Sequence, residues 1–459
     1  VTLDTRRLFD LVFLLVLAAW LRQALLWLRG AASVGAAYKA KALCSALFVS
    51  GLELDVEKAD EVAAEAYRAM RLFPARVDRG AKTVTVSRRG FLPRAAVHRD
   101  GYGATLALGP LAPLPLASAP ARRDAARPWP EGDAPAPEPP PALARVLDAA
   151  FDERGPKRRR TRAVVVARDG RLLAERCAPG LSAATPLNGW SMTKSLFGTL
   201  LGTLVGPGTL SLSARALLPQ WSASGDPRAR IALEDLLRMR SGLSFSEVYS
   251  DLGSDVNRML FVEPDAAAFA ASRPLAHPPG THWQYASGTA NILSLIARRA
   301  LGDAAYAAWP RRALFDPIGM ASAVFEPDSS GTFVASSFLF ATARDWARLG
   351  LLMAQDGVWG GRRVLPEGWV EFLTTPTPQA PDGRYGALWW LKLSKELGGL
   401  GPAAARVPAD AYHALGHEGQ CLTVIPSKRL VVVRLGLSID ITAWDHAAFL
   451  ADLLDALDR

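Results

Sequence analysis

Ser191 and Lys194 stand three residues apart, where a Pro/Asn/Gly loop (Pro186, Asn188, Gly189) gives way to an apolar run with helical spacing. Residues three apart on a helix share a face, so the hydroxyl and the ammonium can meet. A serine hydroxyl is a poor nucleophile until a base takes its proton, and Ser-x-x-Lys supplies both parts locally. At a helix N-terminus the backbone dipole favours negative charge developing on the serine oxygen and lowers the pKa of a nearby lysine. The pattern alone is common, and a capping serine with a solvated lysine explains an arbitrary match. Two polar clusters downstream change the reading.

The first is Trp283-Gln284-Tyr285-Ala286-Ser287-Gly288, which places a tyrosine in a loop directly before a helix. A phenol titrates near 10. Beside a lysine ammonium its anion is stabilised, so Tyr285 could accept the serine proton; alone, it reads equally as a half-buried core tyrosine with Ser287 as N-cap. The second cluster, His413 to Gln420, reads His-Ala-Leu-Gly-His-Glu-Gly-Gln before an apolar strand. A Gly-bracketed strand edge allows close approach of a substrate backbone. It can also aim an N–H at an oxyanion, beside the N–H of Ser191. His417 is placed to bind a carboxylate or polarise the leaving group, or else is an ordinary hydrogen-bonded loop histidine.

Taken together, these residues resemble the serine β-lactamase-like hydrolases, and within them the class C-type esterases and the 6-aminohexanoate-dimer hydrolase branch. The resemblance covers roughly residues 142–457. Ser191-Met192-Thr193-Lys194 is similar to the family's Ser-x-x-Lys element and Tyr285-Ala286-Ser287 to its Tyr-x-Asn/Ser element. His417-Glu418-Gly419 sits where the lactamases have Lys-Thr-Gly. The stretch Arg238 to Tyr249 is similar to the substrate-loop region of the aminohexanoate branch.

The resemblance implies an acyl-enzyme on Ser191, with Lys194 and Tyr285 sharing the proton and no metal or cofactor. It implies substrate contacts from Tyr249, Ser287, His417, Gly419 and Gln420. It implies an α+β fold, an α/β/α sandwich with a central antiparallel sheet and a helical subdomain; the residues before Pro110 show no such resemblance and read as a small accessory α/β region. Histidine in place of the lysine of Lys-Thr-Gly, and serine in place of the usual asparagine after the tyrosine, remove the expectation of high β-lactamase activity.

The elements that must position these residues are legible in outline. With 459 residues and 50% hydrophobic content, the chain is long enough for a sizeable core. Two apolar runs, 163–167 and 172–175, about Asp169-Gly170 read as a hairpin, and 421–425 with 430–435 as another. Helical spacing predicts helices over 142–153, from Ser191 to about Gly206, and over 231–239, 288–301, 342–355 and 443–457. Thr342 and Asp345 have capping-box spacing. Strands at both ends with helices between predict one mixed sheet whose first and last strands meet. Before this unit, Asp60 to Leu72 reads as a helix and 83–87 as a strand. Residues 109–141 are dominated by Pro and Ala and are expected to form neither helix nor sheet.

This organisation gives a segment 1–39, an accessory domain 40–108, a Pro/Ala-rich linker 109–141 and a hydrolase domain 142–459. In the first segment, the apolar run 11–21 follows Arg6 and Arg7, and Arg22 and Gln23 interrupt it before Ala24 to Leu28. It suits a signal-peptide core with cleavage near Ala36, or a signal anchor. Either of these predicts an exported protein, periplasmic or held at the inner membrane and facing the periplasm; the remaining alternative is a buried helix in a cytosolic domain. The formal charge of +9 lacks the basic helix interleaved with aromatics that a nucleic-acid partner needs. Lys157 to Arg160 reads as a solvated charged turn. Cys44, Cys177 and Cys421 are too few and too dispersed for a metal cluster or a disulfide framework.

The leading expectation is a serine hydrolase acting on a small ester or amide. Gly189-Trp190-Ser191-Met192-Thr193 misses the last glycine of an α/β-hydrolase elbow, and that rival leaves Tyr285 without a role. A different class of reading is a non-catalytic exported binder of peptide or cell-wall fragments. Substrate preference is expected to rest on the loops 245–259 and 374–407.

Overall fold

The computed structural model describes residues 5–53, 70–88, 91–121 and 123–458. The helix expected over 60–72 lies, up to residue 69, outside the described residues. Helix α1 (Thr5–Phe48) runs without a break. Its first half is exposed, with Phe9 at 73%, Trp20 at 66% and Leu25 at 66% accessible, whereas Val34, Ala36, Ala37, Tyr38, Ala40 and Leu43 are buried. The division expected between 39 and 40 therefore lies inside a buried stretch of one helix. A four-stranded antiparallel sheet follows: β1 (Ala75–Asp78), β2 (Thr83–Arg88), β3 (Phe91–Arg99) and β4 (Gly103–Leu106). In β2 the alternation works as its period demands, since Val84 and Val86 turn inward against α1.

The described residues of 109–140 form no helix and no sheet strand beyond a single bridge between Asp124 and Gly132. They are nonetheless fastened. The Arg348 guanidinium donates to the carbonyls of Pro130 at 2.9 Å and Gly132 at 2.7 Å, and Arg344 donates to those of Asp133 at 2.9 Å and Ala134 at 3.0 Å. Buried Trp129 donates its indole N–H to the Arg344 carbonyl at 3.3 Å. A chain rich in proline has few N–H groups to satisfy, so it can lie flat on a folded surface while its carbonyls serve as acceptors.

Next in the chain come α2 (Pro141–Ala150), β5 (Thr161–Arg168), β6 (Arg171–Cys177), α3 (Met192–Val205), α4 (Ser287–Leu301), α5 (Ala343–Ala354), β7 (Tyr412–Gly416), β8 (Gln420–Ile425), β9 (Leu430–Gly436) and α6 (His446–Leu457). The five strands form one sheet in the order β7-β8-β9-β5-β6. The two predicted hairpins are β5-β6 and β8-β9, and the first and last strands of the unit do meet, with Val433 opposite Val165. Every pairing is antiparallel, which corrects the expectation of a mixed sheet. Tight hairpins force antiparallel neighbours, and the closing pair β9-β5 keeps that sense. The chain thus has the α+β architecture of an α/β/α sandwich.

One face of the sheet buries Val164, Val166 and Val432 against Leu143 and Leu147 of α2 and Leu450 and Leu453 of α6. The other buries Val165, Val433, Leu422 and Val424 in the core shared with α3 and α5. Each such side chain contributes roughly 1.5–3 kcal/mol. The start of α5 behaves as its spacing predicts, with Thr342 Oγ1 accepting from the N–H of Asp345 at 3.2 Å. These layers fix α3, and with it Ser191, beside the edge strand β7.

Candidate active site

A two-residue strand, Leu187–Asn188, pairs with Leu339–Ala341, then the chain turns through Gly189 and Trp190 into Ser191, the N-cap of α3. A side chain at Gly189 would put its Cβ 2.2 Å from the Trp346 ring, so only glycine fits. Trp190 has φ +47°, a left-handed conformation that costs a residue with a Cβ roughly 1–2 kcal/mol. Its surroundings hold it there. The side-chain oxygen of Asn188 accepts the Trp190 N–H at 3.0 Å. The indole stacks on Tyr38 of α1 at 6.4 Å between centroids and 5° between planes, leans on Phe338 at 6.0 Å, and meets the ring of His417 edge-on at 5.5 Å. At the end of β7, a Cβ on Gly416 would lie 2.3 Å from the Gly189 carbonyl oxygen. The edge strand is thereby pressed directly against the turn that carries Ser191.

Lys194 is buried and donates to Ser191 Oγ at 2.8 Å and to the Ser336 carbonyl at 2.9 Å. Desolvation pushes its ammonium down to about 8, against the opposing pull of the Glu247 carboxylate. Tyr285 lies alongside, its hydroxyl hydrogen-bonded with Ser191, its ring face 4.9 Å from Lys194 Nζ. Burial, reinforced by the charge of Glu247, pushes the phenol above its ordinary value. Desolvation thus favours the neutral phenol, in the opposite direction to the stabilisation expected from the neighbouring ammonium.

Glu247 is the residue that sequence reasoning missed. Its carboxylate accepts from the Ser287 N–H at 2.8 Å and from Ser287 Oγ, and is hydrogen-bonded with Tyr249. Burial raises its pKa while Lys194 and these bonds oppose the rise. Tyr249 also reaches Ser287 and Ser191. The only signal was its position two residues before Tyr249 in a segment already singled out. A carboxylate facing a buried lysine is a pairing that the linear spacing does not display.

Of the remaining expected residues, His417 lies in the cleft, stacked on Tyr249 at 5.0 Å with 19° between planes. Desolvation lowers its pKa, which favours the neutral imidazole as a hydrogen-bonding group, while its Nε2 lies 3.7 Å from the Glu418 carboxylate. Ser287 is wholly buried and bridges Glu247 and Tyr249. Gly419 and Gln420 do not line the cleft. The Gly419 carbonyl accepts from Arg434 at 2.9 Å, and the Gln420 amide ties the His417 carbonyl at 3.1 Å and the Gly436 N–H at 2.9 Å. These two residues brace the β7-β8 turn.

The cleft has a volume of about 350 Å³. Glu247 and Tyr249 come from one of the two loops expected to set preference, and Trp390, Ser394, Glu396 and Leu397 from the other. The backbone N–H groups of Ser191 and His417 donate to no backbone acceptor among the described residues. No group of three or more His, Cys, Asp or Glu side chains converges as a metal-holding set among those residues.

The beta-lactamase family model matches residues 147–436. The chain belongs to the beta-lactamase family. It is an enzyme of the serine hydrolase type. Within the family it is similar to the 6-aminohexanoate-dimer hydrolase of Paenarthrobacter ureafaciens, 26% identical over 65% of this chain and 79% of that one. It is also similar to the esterase EstB of Burkholderia gladioli, 32% identical over 35% of this chain and 46% of that one. Among solved structures, the octameric penicillin-binding protein homologue from Pyrococcus abyssi shares 16% identity with a TM-score of 0.52, over 68% of this chain and 77% of that one. One from Bacillus anthracis, provisionally assigned as a 6-aminohexanoate-dimer hydrolase, shares 21% identity with a TM-score of 0.56, over 67% and 80%. At such identities the two structures establish the beta-lactamase fold alone.

Proposed function

We propose that the chain cleaves an ester or amide bond of a small substrate through an acyl-enzyme on Ser191. Neutral Lys194 takes the Ser191 proton as Oγ attacks the carbonyl carbon, and the oxyanion is received by the N–H groups of Ser191 and His417. The proton then passes from Lys194 by way of the Tyr285 hydroxyl to the leaving oxygen or nitrogen as that bond breaks. Water, activated by the same pair, releases the acid and restores the serine. Tyr249 and His417 form the wall against which the acyl group lies, and Ser287 with Glu247 holds Tyr249 and Lys194 in register.

The observation that carries this reading is the 2.8 Å contact of Lys194 Nζ with Ser191 Oγ, made by a buried lysine whose pKa is about 8. A lysine titrating there is a competent base near neutral pH. The charged residues lining the cleft are Glu247, Glu396 and Glu418, with no lysine or arginine among them. That lining favours neutral or cationic acyl donors over the carboxylate-bearing β-lactams. The exposed apolar half of α1 supports export to the periplasmic side with attachment to the inner membrane.

A fluorophosphonate probe with peptide mapping tests the chemistry. The expected result is a stoichiometric adduct on Ser191, absent in Ser191→Ala and Lys194→Ala, together with faster turnover of p-nitrophenyl acetate than of nitrocefin. A folded protein that takes no adduct would overturn the reading in favour of a binding protein.

A further inference from the structure

Helix α1 has two halves of opposite character, and the second is part of the catalytic unit. From Ser33 onward it is buried. Lys41 pairs with the fully buried carboxylate of Glu326, which also accepts from Ser45 Oγ at 2.9 Å and from the Ala104 N–H at 2.7 Å. Lys41 Nζ lies 4.1 Å from the centroid of the Phe338 ring, and Phe338 leans on Trp190. Tyr38 stacks directly on Trp190 and meets Phe261 edge-on at 5.6 Å. Just past the helix, Ser50 Oγ donates to the Pro186 carbonyl at 2.6 Å, immediately before the short strand that leads into the turn. The strained residue before the nucleophile is thus held from behind by α1.

The first half is apolar on every side. Leu11, Val12, Phe13, Leu14, Leu15, Val16 and Leu17 are consecutive and exposed, and Trp20, Leu21, Leu25, Leu26, Trp27 and Leu28 continue the pattern. Seven consecutive residues cover nearly two turns, so no single protein surface could shelter them all. A surrounding fluid can. Residues 11–28 rise roughly 27 Å along the axis, close to the roughly 30 Å of a bilayer's hydrocarbon core. Arg22 is the one charge in that window, and a long arginine side chain can reach the interface.

We propose that α1 is a retained helix joining a lipid bilayer to the nucleophile: residues 11–28 lie in the bilayer, and residues 33–48 hold the Trp190 turn in its reactive geometry. Cleavage near Ala36 would remove the first half and cut within the buried stretch, two residues before Tyr38. Tyr38 is on this view a positioning residue, acting through Trp190, and the cleft sits close to the membrane surface. The inference rests on Ser191 being the nucleophile.

Two measurements on the full chain test it. Intact mass and peptide mapping of protein extracted from membranes should recover a chain that still contains Phe9 to Leu28 and an uncut peptide across Ala36-Ala37. A mature chain starting near residue 37 would overturn retention. Reconstituted in vesicles of phosphatidylethanolamine and phosphatidylglycerol, the protein should resist extraction by alkaline carbonate. Release as a soluble dimer would give the apolar half to a second copy instead.

For positioning, the rate of Ser191 labelling by fluorophosphonate is compared across variants. Tyr38→Ala should lower the limiting rate by about tenfold or more with the half-saturating probe concentration unchanged, and Tyr38→Phe should restore it. If Tyr38→Ala lacks a cooperative melting transition, Tyr38→Leu, which keeps apolar volume without the flat stack, is read in its place. Equal rates in a wild-type protein that labels normally would overturn the positioning role. Absence of labelling in the wild type would overturn the hydrolase reading itself, so the two failures are distinct.

Discussion

Lys194 decides how this site behaves with pH. Its pKa near 8 is the outcome of desolvation lowering it and the Glu247 carboxylate raising it. A base acts only when deprotonated, so kcat/KM for a neutral ester should rise with pH with a midpoint near 8, instead of near the ordinary lysine value of 10.5. Replacing Glu247 by Gln removes the opposing pull, and the midpoint should then move to lower pH; an unmoved or raised midpoint would show that Glu247 does not sense the lysine charge. Ser191, Lys194 and Tyr285 could be read from the sequence because each sits in a short local pattern. Glu247 could not, because the Ser287 N–H it accepts is forty positions away and only the folded loop brings them together. The upward push of burial on the Tyr285 phenol was hidden for a related reason, since spacing carries no information on how dry a side chain becomes.

Helix α1 shows what an element can conceal. The first half is rich in leucine and the second in alanine, so the apolar run read as a leader or an anchor, and no single residue marked where burial begins. That depends on partners such as Glu326, far along the chain. Removing one member of a buried pair leaves an uncompensated charge, which costs about 3–5 kcal/mol. Lys41→Met should therefore lower stability by about that much in chemical denaturation, and the double change Lys41→Met with Glu326→Met should recover most of it. If the single variant unfolds at the wild-type denaturant concentration, the pair does not secure α1. Strand β7 was likewise hidden: Tyr-His-Ala-Leu-Gly carries no β-branched residue, and its pairing with β8 makes it a strand. The Pro/Ala-rich segment was read correctly as lacking helix and sheet, while its hold on Arg344 and Arg348 was invisible in composition.

The stability of the whole molecule carries its own pH signature. His413 and His446 are buried on either side of Thr423 Oγ1, each 2.9 Å from it, and the Trp444 indole donates to His446 at 3.2 Å. Desolvation pushes His413 down to about 3 from 6.5 and carries His446 well below its ordinary value. Above 6.5 both states leave these rings neutral. Below it, the unfolded chain binds protons that the native state refuses, so stability falls, by up to about 1.4 kcal/mol per pH unit for each ring. The loss continues until the native rings themselves titrate. Urea denaturation midpoints should begin to drop near pH 6.5, ahead of the carboxylate range; a midpoint flat down to pH 5 would contradict this.

The general architecture was legible because two hairpins and a set of amphipathic helices in this order fit one sandwich, and the meeting of β5 with β9 followed from it. That meeting sets a timetable. Val165 waits for Val433, so a ribosome must deliver nearly the whole hydrolase unit before the sheet can close. Ser191 emerges well before the strand that presses Gly416 against its turn. A growing chain therefore holds its nucleophile unformed until the strand more than two hundred residues further on has followed it.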